Sequence, residues 1–88
     1  MAYRLRASKR FKKARAKKTL AQRTDVDEAL RKLRDDPRQN SLHTHKVQGS
    51  PGVWESRIDG GNRLTWNYDG EVIVLRMTCH HDILTRNP

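Results

Sequence analysis

Two turn sequences in the second half of the chain limit the folds open to it. Asp69-Gly70 is a strong signal for a two-residue hairpin loop, and Gly60-Gly61-Asn62 suits a three-residue loop in which one residue takes a positive φ. The segments beside these turns alternate apolar and polar residues, as strands do. The sequence therefore predicts three antiparallel strands, at 53–59, 63–68 and 71–78.

The same turns predict which residues face each other across the strands. The two-residue loop places Arg63 opposite Arg76, and the three-residue loop places Asp59 opposite Arg63. Paired residues share a face of the sheet, so the strands divide into two faces. The predicted core face holds Trp54, Ile58, Leu64, Trp66, Tyr68, Ile73, Leu75 and Met77. The predicted open face holds Glu55, Arg57, Asp59, Arg63, Thr65, Asn67, Val72, Val74 and Arg76.

The first half of the chain reads as a strand followed by two helices. Residues 2–7 alternate like a strand, Ser8 offers a helix N-cap, and residues 9–18 follow as a basic helix. Thr19 and Gln22 form a capping box that starts a second helix, which ends before Pro37. With 38–52 as a linker, we predict one α+β domain over 1–88 in the order βααβββ. Its helical hairpin packs on one face of a small, mostly antiparallel sheet.

Positive charge is concentrated in the first half of the chain. Residues 1–46 contain 15 Lys and Arg against 5 acids, a balance of +10, whereas residues 47–88 contain 4 against 5, a balance of −1. Such a surface attracts RNA, DNA or an acidic protein segment. We predict RNA contacts from the basic residues of the first helix: Lys9, Arg10, Lys12, Lys13, Arg15, Lys17 and Lys18. The alternatives are a solvated helix that serves solubility and an organelle presequence over 1–24.

Cysteine content and hydropathy bear on the compartment. Cys79 is the single cysteine, so no disulfide forms within the chain, which fits a reducing compartment. No apolar run approaches the roughly 20 residues needed to span a bilayer, and no apolar segment follows the basic N-terminus as in a secretory signal. We predict a cytoplasmic protein with no membrane partner.

The predicted pairing of Arg63 with Arg76 requires compensation, because like charges opposite each other destabilise a sheet. Either Glu55 and Asp59 neutralise the two arginines, or a phosphate binds between their planar guanidinium groups. If the last strand continues, Thr78 and His80 share the open face with Arg76, and His80 can transfer a proton.

These parts are sufficient to cleave RNA through attack of its 2′-hydroxyl, without a metal ion or a small-molecule cofactor. We predict His80 as the first candidate for acid–base catalysis and His45 as the second, with Arg63 and Arg76 at the phosphate. Arg57 and Lys46 assist in RNA binding. The alternative is a zinc site built from His43-x-His45 and Cys79-His80-His81, whose spacing matches no familiar closed site.

Four short motifs, in this order, resemble the RelE/ParE toxin superfamily. They are Val47-x-Gly49 through Gly52-Val53-Trp54-Glu55-x-Arg57, then Asn62-Arg63-Leu64-Thr65, then Ile73-Val74-Leu75-Arg76, and finally His80-x-Asp82-Ile83-Leu84. The resemblance implies a toxin of a type II toxin–antitoxin pair that cleaves messenger RNA, often on the ribosome, and is neutralised by a cognate antitoxin. His80 matches a histidine that YafQ-like members place just after the last strand. Arg63 matches the arginine that opens the middle strand in many members, and Arg76 matches a basic residue near the end of the last strand. Lys46 lies in a linker where some members place an active-site lysine or histidine.

Two departures from the superfamily pattern bear on mechanism. Leu84 and Thr85 occupy the stretch where some ribosome-dependent members have a tyrosine, and the linker has one lysine and two histidines in place of a lysine pair. Both favour a histidine-centred mechanism, or a weak or inactive nuclease. The superfamily also includes ParE-like inhibitors of DNA gyrase, and fold does not decide function. A gyrase inhibitor and a non-catalytic nucleic-acid-binding protein are therefore the alternatives.

Overall fold

The computed structural model describes residues 2–80, the side chain of His80 excepted, and shows two helices packed on a five-stranded sheet. The helices are α1 (Lys9–Ala16) and α2 (Leu20–Asp35), followed by a short 3₁₀ turn at Asn40–Leu42. The strands are β1 (Arg4–Ala7), β2 (His45–Lys46), β3 (Trp54–Arg57), β4 (Asn62–Asp69) and β5 (Val72–His80). In the sheet order β1-β5-β4-β3-β2, β1 runs parallel to β5 and the other neighbours are antiparallel. The predicted α+β class is confirmed, but β2 lies inside the segment predicted as a linker.

Both predicted helix starts are confirmed by their caps. The Ser8 hydroxyl accepts a hydrogen bond from the Phe11 backbone N–H at 3.1 Å. The Thr19 hydroxyl accepts from the Gln22 N–H at 3.2 Å, while the Gln22 side chain accepts from the Thr19 N–H at 3.0 Å. Helix α1 ends at Ala16, two residues before the predicted end. No helix in the described part of the chain is long and apolar enough to cross a membrane.

The core lies between the helical hairpin and one face of the sheet. Its buried members are Phe11, Val26, Ala29, Leu33, Leu42, Leu64, Trp66, Ile73 and Leu75. Trp66 is 0% exposed, as its predicted place on the core face requires. Trp54 and Ile58 are only partly buried, and Tyr68 is 38% exposed, so the prediction of Tyr68 as a core residue is wrong.

The hairpin between β4 and β5 turns one residue later than predicted. Gly70 has a φ of +61° and forms the loop with Glu71, so that Asp69 pairs with Val72. Glycine with positive φ at the first loop position is the type II′ arrangement, whereas the prediction assumed a turn centred on Asp69-Gly70. The pairing therefore differs by two residues from the prediction. Because two is an even number, Trp66 and Leu75 keep the predicted face.

A β-bulge at Arg76 changes the rest of this hairpin. Trp66 pairs with Leu75 and Thr65 with Met77, which leaves Arg76 without a residue opposite it. Such a bulge reverses the alternation of the strand that contains it. The predicted pairing of Arg63 with Arg76 is therefore wrong, and so is the predicted place of Met77 on the core face. Beyond the bulge, Thr78 pairs with Leu64 and is buried, contrary to its predicted position on the open face.

The hairpin between β3 and β4 also pairs two residues away from the predicted register. Arg57 faces Arg63, and Trp54 faces Trp66. The turn depends on Asp59, whose Oδ1 accepts hydrogen bonds from the backbone N–H groups of Gly61 and Asn62 at 2.9 and 2.8 Å. Neither Gly60 nor Gly61 has a positive φ, so that part of the turn prediction is wrong. The hydrogen bonds, led by the one from the Asn62 backbone, lower the pKa of the Asp59 carboxyl.

Candidate functional site

A histidine–glutamate pair lies at the β2 side of the sheet. His45 and Glu55 face each other across β2 and β3, and His45 Nε2 lies 2.6 Å from Glu55 Oε2. The other ring nitrogen, Nδ1, lies 3.0 Å from the carbonyl oxygen of His43. Each of these neighbours is a hydrogen-bond acceptor, so both ring nitrogens of His45 face a protein partner. The ring is thereby held in one orientation, with a carboxylate beside it that is only 17% exposed.

The strand pairing places this pair beside two arginines. The row His45, Glu55 and Thr65 crosses β2, β3 and β4 on the face opposite the helices. One step along the same face, Arg57 and Arg63 form the next row. Neighbouring strands are about 4.8 Å apart and alternate residues about 6.6 Å apart along a strand. A ligand of the size of one nucleotide therefore spans both rows.

The two arginines differ in their surroundings. Arg63 is half-buried, and its Nη1 donates to the backbone oxygens of Asp59 at 2.6 Å and Asn62 at 3.1 Å. Within the described residues its Nε and Nη2 make no hydrogen bond, so Arg63 both braces the turn and keeps donors for a ligand. Arg57 is exposed and makes no hydrogen bond or ion pair to any described residue.

Arg76 joins this face from the bulge. Its Nη1 donates to Asn67 Oδ1 at 3.3 Å, while its Nε is buried and without a partner among the described residues. The hydroxyl of the fully buried Thr65 is also unpartnered there. Buried polar atoms without partners are uncommon in folded proteins. Within residues 2–80, the middle of this sheet face thus contains two buried polar atoms without a hydrogen-bond partner.

Glu55 and Asp59, the two acids predicted to neutralise the arginines, bond elsewhere in the described part of the chain. Glu55 bonds to His45, and both carboxylate oxygens of Asp59 bond to its own turn at Asn62. No ion pair within residues 2–80 joins an acid to Arg57, Arg63 or Arg76. In the described residues, therefore, Glu55 and Asp59 do not neutralise the arginines that pair across the strands. Arg57 lies opposite Arg63, and Arg76 lies on the same face. Three guanidinium groups placed in this way are suited to bind an anion with several oxygens.

Two further predicted site residues, Lys46 and His80, have no described side-chain contact with this face. Lys46 lies on the other side of the sheet, where its Nζ is 5.6 Å from the centre of the Trp54 ring. His80 pairs through its backbone with Asn62, and its side chain, like residues 81–88, lies outside the described part of the chain. The predicted zinc ligand His81 falls there too. Sequence reasoning missed Glu55 as the partner of His45, because that contact depends on the unpredicted strand β2.

The basic helix α1 lies beside the C-terminal end of β5. Arg10, Lys13, Lys17 and Lys18 line an open cavity of about 410 Å³ with Met77, Thr78 and Cys79. Burial raises the pKa of the Cys79 thiol. Arg15 does not face this cavity, since its guanidinium bonds to both carboxylate oxygens of Asp27 at 2.9 and 2.7 Å and joins the two helices. Lys9 and Lys12 are exposed.

Comparison with known proteins identifies the fold. No family model and no curated protein matches the sequence. The structure of YafQ from E. coli strain BL21(DE3) matches with a TM-score of 0.74 at 17% identity, covering 93% of this chain and 97% of that one. A mutant of the E. coli toxin RelE matches at 0.73 and 21%, covering 94% and 87%. The RelBE2 toxin–antitoxin complex from Mycobacterium tuberculosis matches at 0.73 and 21%, covering 91% and 99%. The chain has the RelE-like toxin fold.

Proposed function

We propose that this chain is the toxin of a type II toxin–antitoxin pair and an endoribonuclease that cleaves messenger RNA in the cytoplasm. The observation that carries the proposal is the His45–Glu55 pair beside arginines that have no acidic partner among the described residues. An oriented imidazole supplies proton transfer, and unpaired guanidinium groups bind phosphate. The likeness to YafQ and RelE adds support through the fold.

The reaction is a transfer within the RNA chain. The 2′-hydroxyl oxygen attacks the neighbouring phosphorus, and the bond from phosphorus to the 5′ oxygen breaks. The products are a 2′,3′-cyclic phosphate and a free 5′-hydroxyl. One protein group removes the 2′-hydroxyl proton, another protonates the departing 5′ oxygen, and donors stabilise charge on the phosphate oxygens. This chemistry needs no metal ion or other cofactor.

The structure supports separate roles for the residues. His45 transfers one of the two protons once its Nδ1 exchanges the His43 carbonyl for the RNA, while Glu55 stays bonded to Nε2 and holds the ring. His80 is the proposed second proton-transfer group, on the strength of the superfamily resemblance. Arg57, Arg63 and Arg76 bind the scissile phosphate and stabilise the charge that develops on it. The basic residues of α1 and its C-terminal turn, Lys9 to Lys18, bind ribosomal RNA.

A cognate antitoxin is the proposed protein partner. The RelBE2 neighbour is itself a toxin–antitoxin complex. The net charge of +9 favours an acidic partner segment, which could lie on the helical hairpin or add a strand to the sheet. Its binding would stabilise a domain of only 88 residues by mass action.

The test is to map new 5′ ends on a reporter messenger RNA by primer extension, minutes after the protein is induced in bacteria. We expect cuts inside the coding region that are lost in His45→Ala and Arg57→Ala and reduced in Glu55→Gln. Arg57 is preferred to Arg63 because Arg63 also braces a turn. Arg31→Ala, an exposed change on α2, is the matched control for lost charge. All variants must keep the circular dichroism of the folded protein.

The alternatives give different results. Growth arrest with intact messenger RNA would reject the nuclease and favour a gyrase inhibitor. RNA binding without arrest or cleavage would leave a non-catalytic nucleic-acid-binding protein. Cleavage that survives both His45→Ala and Arg57→Ala would place the chemistry elsewhere on the chain.

A further inference from the structure

An aromatic cluster with two cations lies at the β2 edge, on the side of the sheet away from the proposed active site. The rings of Trp54 and Trp66 stack with centroids 5.9 Å apart and an angle of 16° between their planes. Tyr68 packs edge-on against Trp66 at 4.9 Å. Arg38 Cζ and Lys46 Nζ lie 5.4 and 5.6 Å from the centre of the Trp54 ring.

The strand pairing explains why Trp54 is accessible. Trp54 faces Trp66 on β4 and Lys46 on β2. Its ring therefore lies between a buried tryptophan and the edge strand β2. One side of the ring packs on Trp66, which is 0% exposed, whereas Trp54 itself is half-buried. The other groups in contact with the Trp54 ring are the long, flexible side chains of Arg38 and Lys46, which are exposed residues. Such side chains can move aside and remain in contact with a planar ligand.

A partly buried series of hydrogen bonds holds this surface in place. Trp66 Nε1 donates to Ser56 Oγ at 2.9 Å, Ser56 Oγ lies 2.7 Å from Thr44 Oγ1, and Thr44 Oγ1 donates to the Pro37 carbonyl at 2.6 Å. These hydrogen bonds connect Pro37 and Thr44, which are close in sequence to Arg38 and Lys46, to strands β3 and β4. A surface fixed before binding loses less entropy when a ligand arrives.

We propose that Trp54, Arg38 and Lys46 form a subsite for one nucleobase of single-stranded RNA, separate from the site that binds the scissile phosphate. The base stacks on Trp54, and the two cations contact the base and the flanking phosphates. Stacking on an aromatic side chain is how proteins bind unpaired bases with little sequence preference. The proposal rests on the proposed function, because it takes RNA as the ligand.

The chain connects this subsite to the proposed active site. His45 and Lys46 are consecutive residues of β2, so their side chains lie on opposite faces of the sheet. The edge at β2 is two residues long. An RNA strand that leaves His45 and passes around this edge reaches Lys46 and then Trp54. The subsite therefore binds a nucleotide near the cleaved bond and orients the strand.

Binding of a labelled, non-cleavable RNA tests the proposal apart from catalysis. We would use a single-stranded oligonucleotide with 2′-O-methyl groups, which cannot attack the phosphate, and an abasic oligonucleotide with the same number of phosphates. Affinity is measured by fluorescence polarisation. Losing one stacked base weakens binding about 5- to 150-fold. We expect the wild type to bind the base-containing strand more tightly than the abasic strand by a factor in this range.

Two variants locate the effect at Trp54. Trp54→Phe keeps a ring and should keep the preference for bases, whereas Trp54→Leu should lose it. Since Trp66 is buried, quenching of tryptophan fluorescence by the base-containing strand should occur in the wild type and disappear in Trp54→Phe, even though that variant still binds. Thermal unfolding shows whether Trp54→Leu is folded. If it is not, the paired variant Arg38→Ala/Lys46→Ala should reduce affinity for both strands.

Each outcome decides the proposal independently of the nuclease. Equal affinity of the wild type for both strands would overturn the subsite, and so would a Trp54→Leu variant that still prefers bases. Quenching that persists in Trp54→Phe would place the base elsewhere. Base-dependent binding at Trp54 without any RNA cleavage would keep the subsite and reject the endoribonuclease. Cleavage without base-dependent binding would do the reverse.

Discussion

Replacing Ser56 by alanine tests the hydrogen-bond chain that joins the linker to the sheet. Ser56 is 0% exposed, and its hydroxyl accepts the indole N–H of Trp66 at 2.9 Å. The Thr44 hydroxyl donates its single proton to the Pro37 carbonyl at 2.6 Å. The Ser56 hydroxyl must therefore donate its proton to the Thr44 oxygen. Each hydroxyl therefore donates once and accepts once.

The expected cost follows from the group that is left behind. Ser56→Ala leaves the buried indole N–H of Trp66 without an acceptor, which costs about 1–3 kcal/mol of unfolding free energy. In a domain of 60–100 residues, each kcal/mol lowers Tm by about 4–8 °C. We therefore expect Tm to fall by about 4–24 °C, measured by circular dichroism on heating and by urea unfolding.

A double-mutant cycle separates this bond from other effects of the change. Trp66→Phe removes the indole N–H, so Ser56→Ala should cost less in that background than in the wild type. The difference should be about 0.5–3 kcal/mol, the usual coupling between residues in contact. A loss below about 0.5 kcal/mol for Ser56→Ala in the wild type would refute the reasoning. If the free-energy changes of Ser56→Ala and Trp66→Phe were strictly additive, the reasoning would be refuted equally. Other contacts would then hold the linker against the sheet.

Three further predictions concern the turns and a helix cap. Asp59→Asn should destabilise the protein at neutral pH, and the difference should shrink as pH falls below about 4, because a lowered folded-state pKa gives stability that is lost on protonation of the wild type. Urea unfolding at pH 7 and pH 3 measures it. Thr19→Ala should cost about 1 kcal/mol, with Thr19→Ser close to wild type in thermal unfolding. Gly70→Ala should cost about 1–2 kcal/mol for its positive φ, whereas Gly60→Ala should be nearly neutral. Equal losses at the two glycines would contradict the turn geometry.

Much of the proposed site was predictable as a set of residues but not as an arrangement. His45, Arg57 and Arg63 were predicted by name, and the structure brings them to one face. Their neighbours were not predicted correctly. The arginine opposite Arg63 is Arg57 and not Arg76, and Glu55 orients a histidine in place of neutralising arginines. Functional roles depend on such pairings, which a list of residues does not contain.

Local sequence was sufficient for the helix caps, the faces of the strands as far as the bulge, and the fold class. The cap at Thr19 and the burial of Trp66 depend on residues a few positions apart, or on an alternation that any even register preserves. The tertiary structure decided the two-residue register shifts, the bulge at Arg76 and the pairing of His45 with Glu55. A strand of two residues has no periodicity to detect, and a turn one residue later differs little in local energy. Only packing of the whole sheet against the helices selects between such alternatives, because that is where distant residues meet.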